Sequence, residues 1–203
     1  MGSKVVFVGA ITMTTTESEI KIKGSIFLIF VKIIRGSKDE RLYRYLNEED
    51  KKIISGRVFP SGWYPMDTFW HCLRACYEVF GEKKPKNARE WGRVMGIQLL
   101  TGTYKDVLPT ANTDLPSVVK TFTLISKTFF SHSHFELVSL EGRNAKLKLT
   151  QVSDNSAAMI FYFIICGFLE KYIELAGGKN CRTNFSEMVE NDNKTVVFDA
   201  NWE

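Results

Sequence analysis

The sequence has few of the residues and motifs on which most enzyme active sites depend. Only three histidines occur among 203 residues, which leaves few choices for a general base. No glycine-rich turn stands between a strand pattern and a helix pattern with Lys-Ser or Lys-Thr after it, so nucleotide binding is disfavoured. A nucleophile elbow and a serine triad pattern are also missing. We therefore expect that the chain is not an enzyme.

Neither sign of charge dominates the sequence. Lys and Arg number 27, Asp and Glu number 23, and the net charge is +4. The densest basic run, residues 83–86, follows a glycine and precedes a helix pattern, which is typical of a solvated loop rather than of a nucleic-acid contact. We expect no nucleic-acid partner.

Long hydrophobic runs are absent as well. The longest, residues 159–169, holds about eleven residues, roughly half of the ~20 that cross a bilayer. Glu170 and Lys171 follow it directly. A second run, residues 26–34, is shorter and contains Lys32. We expect no transmembrane segment.

Four cysteines occur, and they do not follow the spacing of a disulfide framework. Cys72, Cys76, Cys166 and Cys181 lie within apolar or helical segments instead. This placement indicates buried thiols in a reducing compartment, from which we expect a cytoplasmic location.

The length and composition predict one folded domain over residues 1–203. A chain of this length, with 44% hydrophobic residues, can bury about 70% of its unfolded surface in one core. Residues 1–20 are expected to form an edge strand or an extension, because strand-favouring residues lie between positions 4 and 13. Residues 21–203 are expected to form the main body.

The first two thirds of the sequence carry helix patterns. Phe69 begins a series of apolar positions at offsets of three, four, seven, eight and eleven, which is one face of a helix that starts near Met66 and ends at Gly81. The run at 26–34 is apolar on nearly all sides, so we interpret it as a buried helix with Ser25 as its N-cap. Further helices are expected at 37–46, at 48–54 after Asn47, at 88–100 after Asn87 with Trp91, Val94, Met95 and Leu99 on one face, and at about 114–130 after Asp114.

The last third predicts strands around one long helix. Residues 145–150 alternate polar and apolar side chains and, with residues 135–140, predict an antiparallel hairpin. Residues 156–176 form the long helix, in which Gly167 allows close approach by a neighbour. A second hairpin is expected from 181–189 and 195–202. The predicted fold class is α+β, in which N-terminal helices pack with an antiparallel sheet of two hairpins that flank one long C-terminal helix.

Two groups of side chains offer metal-ligand chemistry. His132 and His134 share one side of a strand pattern, while Cys72 and Cys76 lie four residues apart on a helix beside His71. The first pair is more typical of an exposed strand entry. Thiols on an apolar helix face stay protonated and act as core residues. We predict no metal site and no cofactor.

A cluster of aromatic residues follows a proline-bounded turn. Trp63, Tyr64, Phe69 and Trp70 place large rings at the start of a helix, and Asp67 adds a polar group. Ligand pockets are mostly apolar and aromatic with a few polar groups, so these five residues are the predicted ligand-binding residues. The alternative interpretation is that the rings belong to the core.

Five short segments together resemble a known bacterial family. They are Lys23-Gly24-Ser25, Trp63-Tyr64-Pro65 at the start of a helix, the segments 166–170 and 176–180, and a last strand at 198–202. Over residues 21–203 the chain is similar to a family of uncharacterised proteins, abundant in myxobacteria, that resembles four-vinyl-reductase and haem-nitric-oxide-binding domains. The wider superfamily, ligand-binding domains in nitric oxide signalling and Golgi transport, includes transport-protein-particle subunits. The resemblance implies an α+β fold that is often dimeric and often serves as a sensor.

The sequence departs from these relatives at their cofactor sites. The Tyr-x-Ser-x-Arg motif of haem-binding members is missing, so haem is not expected. The four-vinyl-reductase type commonly has two cysteines in the last hairpin. Met188 and Val196 stand about there, so zinc is not expected. Golgi-transport relatives bury an acyl chain, which leaves a lipid-like ligand open for this chain.

Two functions are compatible with these patterns. The first is a non-enzymatic sensor or adaptor domain in signalling that binds a small apolar or lipid-like ligand between its helices and its sheet. The second is a ligand-free protein-protein interaction or dimerisation module resembling transport-particle subunits. A fully packed interior, with no cavity of even ~300 Å³, would contradict the first.

Overall fold

A computed structural model describes residues 20–103, 105–107, 114–150, 155–190 and 193–203. The edge strand expected between residues 4 and 13 lies outside the described residues. The elements follow one another as β1 (Lys21–Lys23), α1 (Gly24–Gly36), a 3₁₀ helix (Glu40–Tyr45), α2 (Glu48–Ser55), β2 (Trp63–Pro65), α3 (Met66–Phe80), α4 (Pro85–Gln98), a π-helical turn (Leu99–Thr103), a 3₁₀ turn (Lys105–Val107), α5 (Leu115–Ser126), β3 (Phe135–Glu141), β4 (Asn144–Leu149), α6 (Ala158–Leu175), β5 (Arg182–Glu190) and β6 (Asn193–Asn201).

The last four strands form one antiparallel sheet in the order β3, β4, β6, β5. Its central pair is β4 with β6, in which Leu147 lies opposite Phe198. These two side chains are buried together with Ala145 and Ala200, whereas Lys146 is exposed on the other face. Such one-sided burial is typical of an antiparallel sheet with one solvated face. The α+β class and both hairpins are confirmed, and the hairpins join into a single sheet.

A short ribbon of β1 and β2 ties the N-terminal helices to the end of α5. Ile22 is fully buried and bridges to Phe130, and the Lys23 amide donates to the Phe129 carbonyl at 2.8 Å. Because residues 129 and 130 bond to β1, they cannot continue the helix. The prediction that this helix extends to about residue 130 is therefore wrong, since α5 ends at Ser126.

Two of the predicted helix caps are present. Asn47 Oδ1 accepts from the Asp50 amide at 2.8 Å, and Asp50 Oδ2 accepts from the Asn47 amide at 2.9 Å, which is the reciprocal capping box. Asp114 Oδ1 accepts from the Ser117 amide at 2.9 Å at the start of α5. Local sequence alone therefore fixes where α2 and α5 begin.

Ser25 and Asn87 are not caps, in contrast to the prediction. The first helix begins one residue earlier than Ser25, because the Gly24 amide already donates to the Gly62 carbonyl at 2.9 Å. The fourth helix begins at Pro85, whose fixed φ suits the first helical position and which has no N–H that needs a cap. At both helix starts, the first backbone position therefore needs no hydrogen bond from the side chain that was predicted to cap the helix.

The long helix α6 contacts α4 with one face and the sheet with another. A Cβ on Gly167 would lie 1.8 Å from the Arg89 carbonyl oxygen, so the close approach expected at Gly167 is confirmed. On the sheet side, the Tyr162 ring lies 6.2 Å from that of Phe198. Among the described residues, no helix combines the length and apolar character that a membrane crossing requires.

Candidate ligand-binding groove

An open groove of about 560 Å³ runs between α1 and α4. Each helix lines it with residues at offsets of zero, three, four, seven and eight, which form one stripe on a helix surface. The lining residues are Ser25, Leu28, Ile29, Lys32 and Ile33 from α1, Trp91, Val94, Met95, Gln98 and Leu99 from α4 and the turn after it, and Phe30 and Pro60. At 1.5 Å per residue, each stripe is about 12 Å long.

The walls of the groove are apolar and partly exposed. Ile33 is 39% exposed and Val94 is 44% exposed, while Leu28, Ile29 and Trp91 are half-buried. The prediction that α1 is a buried helix is therefore correct for only one of its faces. The other face, which carries the stripe, has no covering element among the described residues.

A second, much smaller cavity lies behind the groove. Met95 and Leu99 border both spaces, and the inner one measures about 40 Å³. Its remaining walls are apolar and are formed by Ile26, Phe122, Phe129, Phe130, Phe135, Phe161, Ile164, Ile165 and Phe168. Ligand sites usually measure ~300 to 1,000 Å³, so this inner cavity, as the described residues form it, is too small for the ligand expected between the helices and the sheet. The groove outside it is large enough.

A buried ionic network fixes the position of α4. Glu170 on α6 is 4% exposed, and its Oε1 accepts from Arg89 at 2.5 Å and from the Thr183 amide at 2.9 Å. Arg89 also donates to the Thr183 carbonyl at 2.8 Å. Arg93, one turn further along α4, donates to both carboxylate oxygens of Glu174 at 2.8 Å. The network joins α4, α6 and β5, and thereby holds one wall of the groove.

Of the predicted ligand-binding residues, Trp63, Tyr64 and Asp67 lie near the surface. The Lys23 ammonium sits 4.5 Å from the centre of the Trp63 ring. The Tyr64 hydroxyl accepts from the Phe59 amide at 2.7 Å, and its ring borders a more open depression of about 710 Å³ beside α2, half of whose lining residues are charged. Asp67 is half-buried in the first turn of α3. None of these three is among the residues that line the α1–α4 groove.

The other two predicted residues, Phe69 and Trp70, are buried in the aromatic core. Their ring centres are 5.1 Å apart, and both pack edge-on against Phe161, at 5.5 and 5.6 Å. Trp70 Nε1 has no hydrogen-bond partner among the described residues. The structure thus divides the five predicted residues between surface and core, and their role in ligand binding stays a prediction.

On α3, the two candidate cysteines belong to the core, and the candidate histidine contacts α2. Cys72 and Cys76 are fully buried, and burial raises the pKa of Cys76 to about 12 and raises the pKa of Cys72 as well. His71 instead turns to α2, where its Nδ1 lies 2.8 Å from Asp50 Oδ2. Within the described ranges, no group of three or more His, Cys, Asp or Glu is arranged to hold a metal ion.

The groove residues do not stand out in the sequence, because apolar stripes on helices are usually core. One signal was present in the run at 26–34. Lys32 lies on the same helix face as Leu28, Ile29 and Ile33, and a charge in such a stripe indicates that the face is not fully buried. Trp91 and Val94 share a face, as predicted, but that face lines the groove.

Comparison with known proteins identifies similar folds among solved structures, but it finds no matching family and no similar curated sequence. No protein-family model matches the chain, and no curated protein matches it. Solved H-NOX structures superpose on 90% of it. An oxygen binding H-NOX domain related to soluble guanylate cyclases does so with a TM-score of 0.57 and 11% identity, over 95% of that chain. An Fe(II) unliganded H-NOX mutant from K. algicida has a TM-score of 0.58 and 13% identity over 97% of its chain, and a mutant of T. Tengcongensis H-NOX has a TM-score of 0.54 and 11% identity over 98% of its chain. The chain shares the H-NOX fold. The expected likeness to haem-nitric-oxide-binding domains is thereby confirmed for the fold.

The described residues do not fit haem. Six phenylalanines line the inner cavity of about 40 Å³, and among its described lining residues only Met95 carries a sulfur. All three histidines lie elsewhere: His71 on Asp50, His132 beside Ser131, and His134 at 3.0 Å from Glu136. Among the described residues, no lysine or arginine lines this cavity to pair with propionates. The H-NOX fold is here combined with an inner cavity that is too small for haem.

Proposed function

We propose that this chain is a non-enzymatic sensor or adaptor domain in signalling, which binds a small apolar or lipid-like ligand in the groove between α1 and α4. The observation that carries the proposal is the groove itself. Its 560 Å³ falls within the range of ligand sites, its walls are mainly aliphatic and aromatic, and a few polar groups accompany them. The shared fold supports the sensor class, since one of the similar structures is an oxygen-binding domain related to soluble guanylate cyclases.

The groove differs in position from the site expected from sequence. The small inner cavity argues against a ligand between the helices and the sheet, whereas the groove lies on the outer side of Met95 and Leu99. Trp91 supplies a half-buried ring at the groove wall, and this ring packs edge-on against Tyr77 at 6.3 Å. A bound apolar molecule would therefore change the fluorescence of Trp91.

A single charge in the groove wall should abolish binding. Val94→Glu places a carboxylate against the apolar ligand. We expect the affinity for decan-1-ol and for decanoate to fall at least about tenfold, because the ligand loses its apolar contact with the Val94 side chain and the new charge must be desolvated. Isothermal titration calorimetry measures both affinities. Leu124→Glu is the matched control, because Leu124 is a 64% exposed aliphatic residue on α5, outside the groove.

The Leu124→Glu variant should bind both probes like the unmodified chain. Glutamate is a good helix former, so neither substitution should unfold its helix. If the unmodified chain binds neither probe with a Kd below about 1 mM, which corresponds to a binding free energy of about −4 kcal/mol, the proposed function is wrong. Equal loss in both variants would also count against the groove as the site.

The same face offers a second candidate function, a protein interaction or dimerisation module. Ile33 on α1 and Val94 on α4 line the groove, and both are exposed. Stable interfaces bury ~1,200 to 2,000 Å², so such a module would cover this face with a partner or with a second copy. Light scattering at high micromolar concentration distinguishes the two: a dimer that Val94→Glu dissociates supports the module, and a monomer favours the ligand site.

A further inference from the structure

The described residues that line the groove carry charge of one sign. Among them Lys32 is the only ionisable residue, and none is a carboxylate. The sequence of α1 contains no acidic residue, and Arg35, its other cation, donates to the carbonyls of Ile54 and Gly56 at the end of α2. The α1 side of the groove lining therefore carries one positive charge and no negative one.

Lys32 is available to bind a ligand. It is exposed, and it forms no salt bridge with any carboxylate of the described residues. Glu90 precedes the first residue of the α4 stripe in sequence. Its carboxylate lies 3.9 Å from the guanidinium of Arg93. An ammonium group at the edge of an apolar stripe can keep its stem on the stripe while its charged end reaches an anion.

The polarity is arranged along the groove. Lys32 lies in the last turn of the α1 stripe, and the apolar Leu28 and Ile29 precede it toward Ser25. An elongated molecule would thus place its apolar part along about 10 Å of aliphatic and aromatic wall and its polar end beside the ammonium.

We infer that the groove selects an amphiphile with one anionic end group, of which a medium-chain carboxylate is the simplest example, and that Lys32 is the residue that recognises the anion. This inference rests on the proposed function and adds the ligand class. A charge-assisted hydrogen bond from the ammonium to the carboxylate provides the selectivity, while the apolar walls provide affinity that is independent of charge.

The test compares decanoate with decan-1-ol, which share an apolar chain and differ in end-group charge. Both affinities are measured by calorimetry at pH 7.5 on the unmodified chain, on Lys32→Gln and on Lys120→Gln. Lys120 is an exposed lysine in the middle of α5, outside the groove. The ratio of decanoate affinity to decan-1-ol affinity should fall about five- to tenfold in Lys32→Gln, in line with one partly exposed charged hydrogen bond.

The control variant should keep the ratio of the unmodified chain, and Lys32→Arg should keep most of it because the charge is retained. A ratio that does not change in Lys32→Gln overturns the inference. In that case, decan-1-ol binding that is still lost in Val94→Glu leaves the proposed function standing. If neither probe binds the unmodified chain, the proposed function and the inference are both wrong.

Discussion

Substitution of Gly92 by alanine should lower the free energy of unfolding by about 3 kcal/mol, although alanine is the better helix former. The new Cβ would lie 1.9 Å from the Ile164 carbonyl oxygen and 2.9 Å from the Phe168 amide nitrogen, both of them backbone atoms of α6. Backbone cannot rotate away as a side chain can, so α4 and α6 would have to separate along their contact. Guanidinium unfolding followed by far-ultraviolet circular dichroism measures the change.

The reciprocal variant on α6 provides a second test. Gly167→Ala brings a Cβ to 1.8 Å from the Arg89 carbonyl, so a loss of similar size is expected, and the double variant should not fold. Gly36→Ala is the matched control. That glycine ends α1 with open space around it, and alanine there should change stability by less than about 1 kcal/mol, toward greater stability. A Gly92→Ala variant with an unchanged unfolding midpoint would contradict the close contact of the two helices.

The contact of α4 with α6 also matters for the groove. Gly92 faces α6 while the neighbouring Trp91 and Val94 face the groove, so one helix carries the tightest packing and half of the candidate site. Movement of α4 away from α6 would narrow or distort the groove. Variants of Gly92 that remain folded should therefore bind decan-1-ol more weakly than the Gly36→Ala control.

The helices were predictable because their signals are local. In the apolar series on α3 that begins at Phe69, the first four positions, Phe69, Cys72, Leu73 and Cys76, are fully buried. The last two are less covered, since Tyr77 is half-buried and Phe80 is 42% exposed. Asn47 and Asp50 specify the start of α2 within four residues of sequence. Such features depend on neighbours along the chain, and short sequence windows contain them completely.

The pairing of distant segments was not predictable in the same way. Each hairpin follows from alternation and a turn, whereas the β4–β6 pairing joins residues about 50 positions apart, such as Leu147 and Phe198. The β1–β2 ribbon is only three residues long on each side, too short for a periodic pattern. The hydrogen bond from the Lys23 amide to the Phe129 carbonyl holds residue 129 against this ribbon, so α5 ends early. Local helix propensity cannot predict such a long-range contact.

The groove between α1 and α4 was not predictable from the sequence for a related reason. Aromatic residues at a proline-bounded turn suggested a pocket at Trp63 to Trp70, yet Phe69 and Trp70 are used to fill the core. An apolar stripe such as Ile29 and Ile33 is buried or open according to whether another element covers it. The sequence pattern shows the stripe, but it does not show whether another element packs on it. That packing decides whether the stripe is core or groove.

The ionic network around Glu170 is the other feature that sequence patterns do not reveal. Its members come from α4, α6 and β5, and their side chains meet only in the folded chain. Burial raises the pKa of Glu174, but the hydrogen bond and charge of Arg93 and the charge of Lys171 outweigh it, so the net pKa is lowered from 4.5. This carboxylate therefore adds stability above about pH 4.5, and the contribution is lost as the pH falls through the lower folded pKa.

Removal of the central carboxylate should be among the most damaging single changes in the chain. Glu170→Ala leaves the buried Thr183 amide without its acceptor and Arg89 without its anion, and we expect the free energy of unfolding to fall by about 3 to 5 kcal/mol, as when one partner of a buried ion pair is removed. Glu90→Ala is the control, since Glu90 lies on the surface of α4 at 3.9 Å from Arg93 and should cost less than about 1 kcal/mol. Urea unfolding at pH 7 compares the two variants. Equal stabilities would mean that packing alone, through Gly92 and Gly167, holds α4 in place, and that the charges serve only to set its register.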